Sequence, residues 1–97
     1  MNIIVAGYLS IKAGKRDEFI NASLEAVSQA RKHPDCEDFS VSADPIDQNR
    51  VNIFEKWKSR ASLDVFRAEG PDNGSFALID AFHVAEYEIG TFCHKES

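Results

Sequence analysis

Apolar and polar positions alternate at the start of the chain, with Ile3, Val5, Gly7, Leu9 and Ile11 on one face and Ile4, Ala6, Tyr8 and Ser10 on the other. Both sets are mostly apolar, which predicts a strand over residues 2–12 that is covered on both sides. Ala13-Gly14 ends it. From Lys15 to Lys32 the spacing changes to three and four, with Phe19, Ile20, Leu24, Val27, Ala30 and Arg31 on the repeat of an amphipathic helix. Pro34 disfavours helical geometry at His33, so the helix is expected to stop there.

Alternation then returns. Phe39, Val41 and Ala43 form the inward side of a second strand, Asp44 to Asn49 a polar turn, and Arg50 to Trp57 a third strand, the pattern of an antiparallel hairpin. Ser59 stands at an N-cap, a short helix runs through Ala61 to Phe66, and Gly70-Pro71 supplies the stop. A turn-rich loop over Pro71 to Ser75, a helical turn over Phe76 to Asp80 and a fourth strand over residues 82–92 complete the chain. The order βαββαβ is the split-βαβ arrangement, an α+β fold with both helices on one face of a four-stranded antiparallel sheet. Its other face, carrying Ile4, Tyr8 and Phe54, would be left bare. An exposed apolar face of that size predicts a homodimer that pairs two such faces.

A length of 97 residues points to one domain over residues 1–97. The net charge of −5 argues against nucleic acid or an anionic membrane as main partner, since both demand a basic footprint. No apolar run approaches the roughly 20 residues that cross a bilayer, and the N-terminus lacks the basic start and cleavage site of a leader. A cytoplasmic protein is expected. His33 with Cys36, and Cys93 with His94, lack a Cys-x-x-Cys anchor and read as reduced thiols and end-of-element histidines, with no metal expected. There is no phosphate-cradling glycine loop, dinucleotide fingerprint or nucleophile elbow, so no cofactor is expected either.

Candidate chemistry centres on Glu55-Lys56-Trp57, where the period of two points Glu55 and Trp57 to the same side. An ionised carboxylate on an apolar strand face costs several kcal/mol unless partnered. Glu55 is therefore either paired with Arg31 or Arg67, or a base with a raised pKa. Trp57 is either core or the wall of a pocket for a flat aromatic ligand, and Gly7 on the same set would leave space beside it. His83 is a structural strand residue or a proton acceptor working near neutral pH. Tyr8 and Tyr87 fit ligand orientation and an interface equally. Phe66 faces inward with Leu63, while Arg67 and Asp72 either flank the mouth or are solvated charge.

The run from Pro34 to Trp57, with its polar turn, its Glu-x-Trp end and Ser59 opening a helix, resembles the antibiotic biosynthesis monooxygenase family. The similarity extends from Val5-Ala6-Gly7-Tyr8 to Val84-Ala85-Glu86-Tyr87. It implies a small dimeric α+β barrel of ferredoxin-like subunits, with the tryptophan, here Trp57, lining the active cavity. It also implies cofactor-independent oxygenation of a small phenolic or quinol substrate, in which a base forms an electron-rich anion that itself reduces oxygen. On this view Glu55 and His83 are the catalytic candidates, and Trp57, Gly7, Tyr8 and Phe66 bind substrate. The partners are then a small aromatic substrate, molecular oxygen and a second copy. Haem-degrading relatives carry an Asn on the first strand and a haem-ligating His on the second helix; Gly7 and Phe66 stand there instead, so the axial ligand is missing. Leu63-Asp64-Val65-Phe66 likewise replaces the Leu-x-x-His of plain monooxygenases. Two other classes stay open, a non-oxidative isomerase of a small metabolite and a non-enzymatic dimer that binds a small ligand.

Overall fold

The strand that is apolar on both faces lies inside the sheet. In the computed structural model, described over residues 1–69 and 74–90, β1 (Asn2–Ile11) runs between β3 (Arg50–Trp57) and β4 (Ile79–Ile89), with β2 (Cys36–Ala43) beyond β3. All three pairings are antiparallel. Helices α1 (Arg16–Lys32) and α2 (Arg60–Glu69) complete βαββαβ, a ferredoxin-like α+β topology.

Local signals account for the ends of the helices. The His33 N–H donates to the Ala30 carbonyl (2.9 Å) and His33 itself is extended, as a residue before proline must be. Asp17 and Glu18 in the first turn of α1, and Arg31 and Lys32 in its last, complement the helix dipole. At α2, the Ser62 N–H donates to Ser59 Oγ (3.2 Å), and the Ser62 hydroxyl donates to Asp35 (2.5 Å), tying the helix start to the loop that follows α1.

Register places the helix-facing side chains in rows across the sheet. One row is Val41, Ile53, Gly7 and Val84; the next is Phe39, Glu55, Val5 and Glu86. The buried residues form two clusters. Ile3, Val5, Phe39 and Trp57 close over Ala30 of α1 and Leu63 of α2, while Leu9, Ile11 and Val51 close over Phe19. Val41 and Val84 touch both clusters, yet they, Ile53 and Glu55 remain half-buried. The sheet floor between the two cores is therefore incompletely covered.

Three expectations shift. A register irregularity at residues 36–38 of β2 starts that strand earlier than the alternation suggests and puts Cys36 and Phe39 against the same core although they are three apart. A second irregularity at Ser10/Ile11 lets Ile79 pair with Ile11, so β4 begins before residue 82, after a 3₁₀ turn over Ser75–Leu78. Leu24, on the helical repeat of α1, is 57% exposed. The Gly70-Pro71 stop and the far end of the last strand lie outside the described residues. None of the described helices is long and apolar enough to cross a membrane.

The face away from the helices is not uniformly apolar. Ile4, Ala6, Tyr8 and Phe54 are half-buried along its centre, with Tyr87 exposed beside them. At one end Tyr8 is sandwiched: its ring stacks on His83 at 4.5 Å, and the Arg50 guanidinium lies 3.9 Å from its centroid.

The β2–β3 turn is organised by one carboxylate. Asp44 accepts the N–H groups of Asp47 (2.9 Å) and Ile46 (3.0 Å) and the Asn52 side-chain amide (3.0 Å), which hold its pKa down to about 2. Because the folded value lies below the ordinary 3.8, this stabilisation is complete above pH 3.8 and is lost as pH falls toward 2. Asp44→Asn should lower the melting temperature at neutral pH and reduce its acid dependence, as read from melting curves between pH 2 and 7.

Candidate active site

Strand β3 carries Glu55 and Trp57 side by side on the helix face, and the Trp57 indole N–H donates to Glu55 Oε1 at 3.0 Å. Trp57 is completely buried. Phe66 of α2 leans on it at 5.1 Å between ring centroids, and His33 and Phe39 meet it edge-on at 5.5 and 6.5 Å. Its faces and its N–H are therefore engaged within the chain. Trp57 is a core residue that orients Glu55 and has no free wall to offer a ligand.

Glu55 itself is half-buried. Burial pushes its carboxyl pKa up; the Trp57 N–H and the Arg67 charge pull it back, and Glu86 adds a smaller upward push. Neither arginine considered from sequence forms an ion pair with it. Arg31 Nε donates to the Phe39 carbonyl (2.9 Å), and Arg67 Nη1 pairs with Glu86 (2.6 Å). Arg60 Nη1 binds the other oxygen of Glu86 (2.8 Å). The two arginines hold Glu86 ionised, with its pKa lowered by those hydrogen bonds.

Of the residues singled out in the sequence, Glu55, Trp57 and Phe66 converge on the helix side of the sheet. Gly7 is in the adjoining row but opens no space: its φ is 147°, and a Cβ there would fall 2.1 Å from the His83 carbonyl oxygen of β4. The glycine permits close approach of two strand backbones. Tyr8 and His83 are stacked on the opposite face, so within one chain they do not share a site with Glu55. His33, Phe39 and Glu86 join the site without having been named for it. Arg60 and Arg67, seven residues and about two turns apart, left a legible signal on one helix face; the ring contact of His33 with Trp57 left none.

Cys36 packs near Glu55, where burial raises its thiol pKa and keeps it protonated, a poor nucleophile. Among the described residues no group of three His, Cys, Asp or Glu is arranged to hold a metal; Cys93 and His94 lie outside them. An open depression of about 250 Å³, lined by Gly14, Arg16, Asp17, Gln48 and Asn49, adjoins the β2–β3 turn and includes none of these site residues. Arg16 Nη1 is already committed there to the carbonyls of Asp44, Asp47 and Arg50.

The βαββαβ order and the sheet pairing define a small ferredoxin-like α+β domain. The family model of the antibiotic biosynthesis monooxygenases matches residues 2–71, and the chain belongs to that family. An uncharacterized protein of Synechocystis, sll1783, is 37% identical over 62 residues, which is 64% of this chain and 42% of that protein. The chain thus spans less than half the length of this curated relative. A conserved protein from Methanosarcina mazei superposes with a TM-score of 0.77 at 22% identity, covering 90% of this chain and 91% of its own. A candidate antibiotic biosynthesis monooxygenase from Nitrosomonas europaea gives 0.79 at 18% identity, covering 95% and 100%. These structural likenesses carry the fold.

The geometry separates the two roles of the pair on β3. A carboxyl whose folded pKa is raised binds its proton more tightly in the native chain, so its contribution to stability declines as pH rises from 4.5 upward through the raised value. Glu55→Gln, which keeps an acceptor for the indole N–H, should remove that decline and leave the melting temperature at pH 7 equal or higher. Trp57→Phe should cost about 2 kcal/mol, through lost core volume and the lost donor to Glu55. Melting curves of the two variants between pH 4 and 8 check both outcomes.

Proposed function

We propose that the chain is a cofactor-independent monooxygenase acting on a small phenolic or quinol substrate, with Glu55 as its base. One observation carries this reading. A half-buried carboxyl with a raised pKa, held by the Trp57 N–H, borders the half-buried row of Val41, Ile53 and Val84 between the two cores. A base tuned upward from the ordinary carboxylate range is better matched to a phenolic proton, and the apolar surroundings of Ile53, Val84 and Phe66 suit an aromatic ring. Glu55 takes the hydroxyl proton, and the resulting anion is electron-rich enough to reduce dioxygen directly. For a quinol the balance closes without a further reductant: quinol and dioxygen give a hydroxyquinone and water. Phe66 and the floor position the ring; Trp57 fixes the carboxylate.

Assembly belongs to the same proposal. The half-buried Ile4, Ala6, Tyr8 and Phe54, with exposed Tyr87, form an apolar strip on the side that no helix covers, and a second copy about a two-fold axis would remove it from water. His83 and Tyr8 then belong to the interface, as residues that support the sheet from behind.

Oxygen uptake by the apoprotein with a panel of quinols tests the chemistry. Glu55→Gln should lower the rate by roughly 10²–10⁴ while the fold persists. His83→Gln should leave turnover near that of the parent, and a loss there equal to that of Glu55→Gln would move the base to the other face. Ligand binding without oxygen uptake by any member of the panel would replace the enzyme by a small-ligand-binding protein. Light scattering should report about twice the 10.8 kDa chain mass, and Phe54→Asp should dissociate or destabilise it by placing a charge in the apolar strip.

A further inference from the structure

We propose that Glu86 is a positioning residue: from β4 it fixes α2, and through α2 the Phe66 ring, over the substrate site. The inference rests on the reading of the Glu55 side of the sheet as that site. The apolar anchor of α2 is slight, since Leu63 is its one fully buried residue and Phe66 is half-buried. At the start of the helix the Ser62 hydroxyl donates to Asp35 (2.5 Å). Along its length two charged contacts converge on a single group. Arg60 Nη1 binds one oxygen of Glu86 (2.8 Å) and Arg67 Nη1 binds the other (2.6 Å).

Residues seven apart stand about 10 Å apart along a helix axis, so the two arginines approach Glu86 from opposite directions. A slide of α2 either way lengthens one pair, and a roll of that face away from β4 lengthens both. A single arginine would leave the helix free to pivot about Leu63. Phe66, next to Arg67, lies 5.1 Å from Trp57 and 5.6 Å from Phe39 between ring centroids, so its place follows that of the helix. Glu86 stands in the same cross-sheet row as Glu55, with Val5 between them. The anchor of α2 and the proposed base are thus set on one row of one sheet, which fixes the height and angle of the Phe66 ring relative to that base. Exposed ion pairs add little to stability one by one, whereas two that share a carboxylate restrain where a helix sits. The expected signature is a loss of ring binding with little loss of stability.

The test combines para-nitrophenol binding, melting curves and acrylamide quenching of Trp57, the one tryptophan of the chain. Glu86→Gln should weaken para-nitrophenol binding about tenfold and expose Trp57 to the quencher, with a melting temperature close to the parent's. Arg60→Gln and Arg67→Gln should each fall between the parent and Glu86→Gln, and Glu86→Asp, which keeps the charge, should recover most of the affinity. At about 1 M salt the parent and Glu86→Gln should converge, because exposed pairs are screened. Parent-like affinity in Glu86→Gln overturns the positioning role. So does an affinity lost only in step with melting temperature, or one that Glu86→Asp does not recover, since Glu86 would then be a purely structural tie. Failure of the parent to bind para-nitrophenol at all removes the site itself, and with it both the reading of Glu55 and this one.

Discussion

The burial of Trp57 is the constraint on which the rest of the site depends. It is the last residue of β3, and its ring is closed in by the end of α1 through His33, by β2 through Phe39 and by α2 through Phe66. A side chain of this size, buried completely, contributes several kcal/mol of apolar transfer, and it can do so only if all three neighbours are in place. Its single polar atom must also be satisfied, and Glu55, two residues earlier on the same face, is the group that satisfies it. The requirement for a buried indole N–H partner therefore sets the orientation of the proposed base.

That coupling gives Glu55 a mixed environment. Burial alone would drive its proton affinity far up; a close ion pair alone would drive it down and leave a spectator. The chain does neither. Arg67 is diverted to Glu86, so it moderates Glu55 without pairing with it, and the indole N–H supplies the direct contact. An acceptor that is neither fully desolvated nor fully neutralised is the kind of group that exchanges protons with a weak acid.

The helix face of the sheet carries two cores joined by a half-buried row. Two compact clusters form at opposite ends of the helix face because the large buried residues, Trp57 and Leu63 at one end and Phe19 and Ile11 at the other, are separated by the row in which β1 has only Gly7. No side chain rises from β1 there, and Ile53 and Val84 on either side stay half-buried. The glycine is demanded by the backbone of β4, which occupies the place a side chain would take, so this row is lined by half-buried Ile53 and Val84 without an opening at Gly7 itself.

Much of the fold was legible along the chain. The switch between periods of two and three to four, the proline after His33 and the serine before α2 place six elements in the right order, because local geometry and solvent exposure act on every residue of an element at once. The shared face of Glu55 and Trp57 was legible for the same reason. The register irregularities at 36–38 and at Ser10/Ile11 were not, since a bulge is decided by the partner strand. Nor could a one-dimensional pattern separate Glu55 from His83: each sits on an alternating strand, and only strand pairing puts them on opposite faces of one sheet. The partners of charged groups were the least legible, because arginine side chains are long and several carboxylates lie within reach. The sequence by itself determined which residues face a common side and that a carboxylate accompanies the tryptophan. Tertiary structure alone decided that the indole is sealed, that Arg67 turns to Glu86 and that Gly7 is filled by backbone, because each depends on distances between segments far apart along the chain.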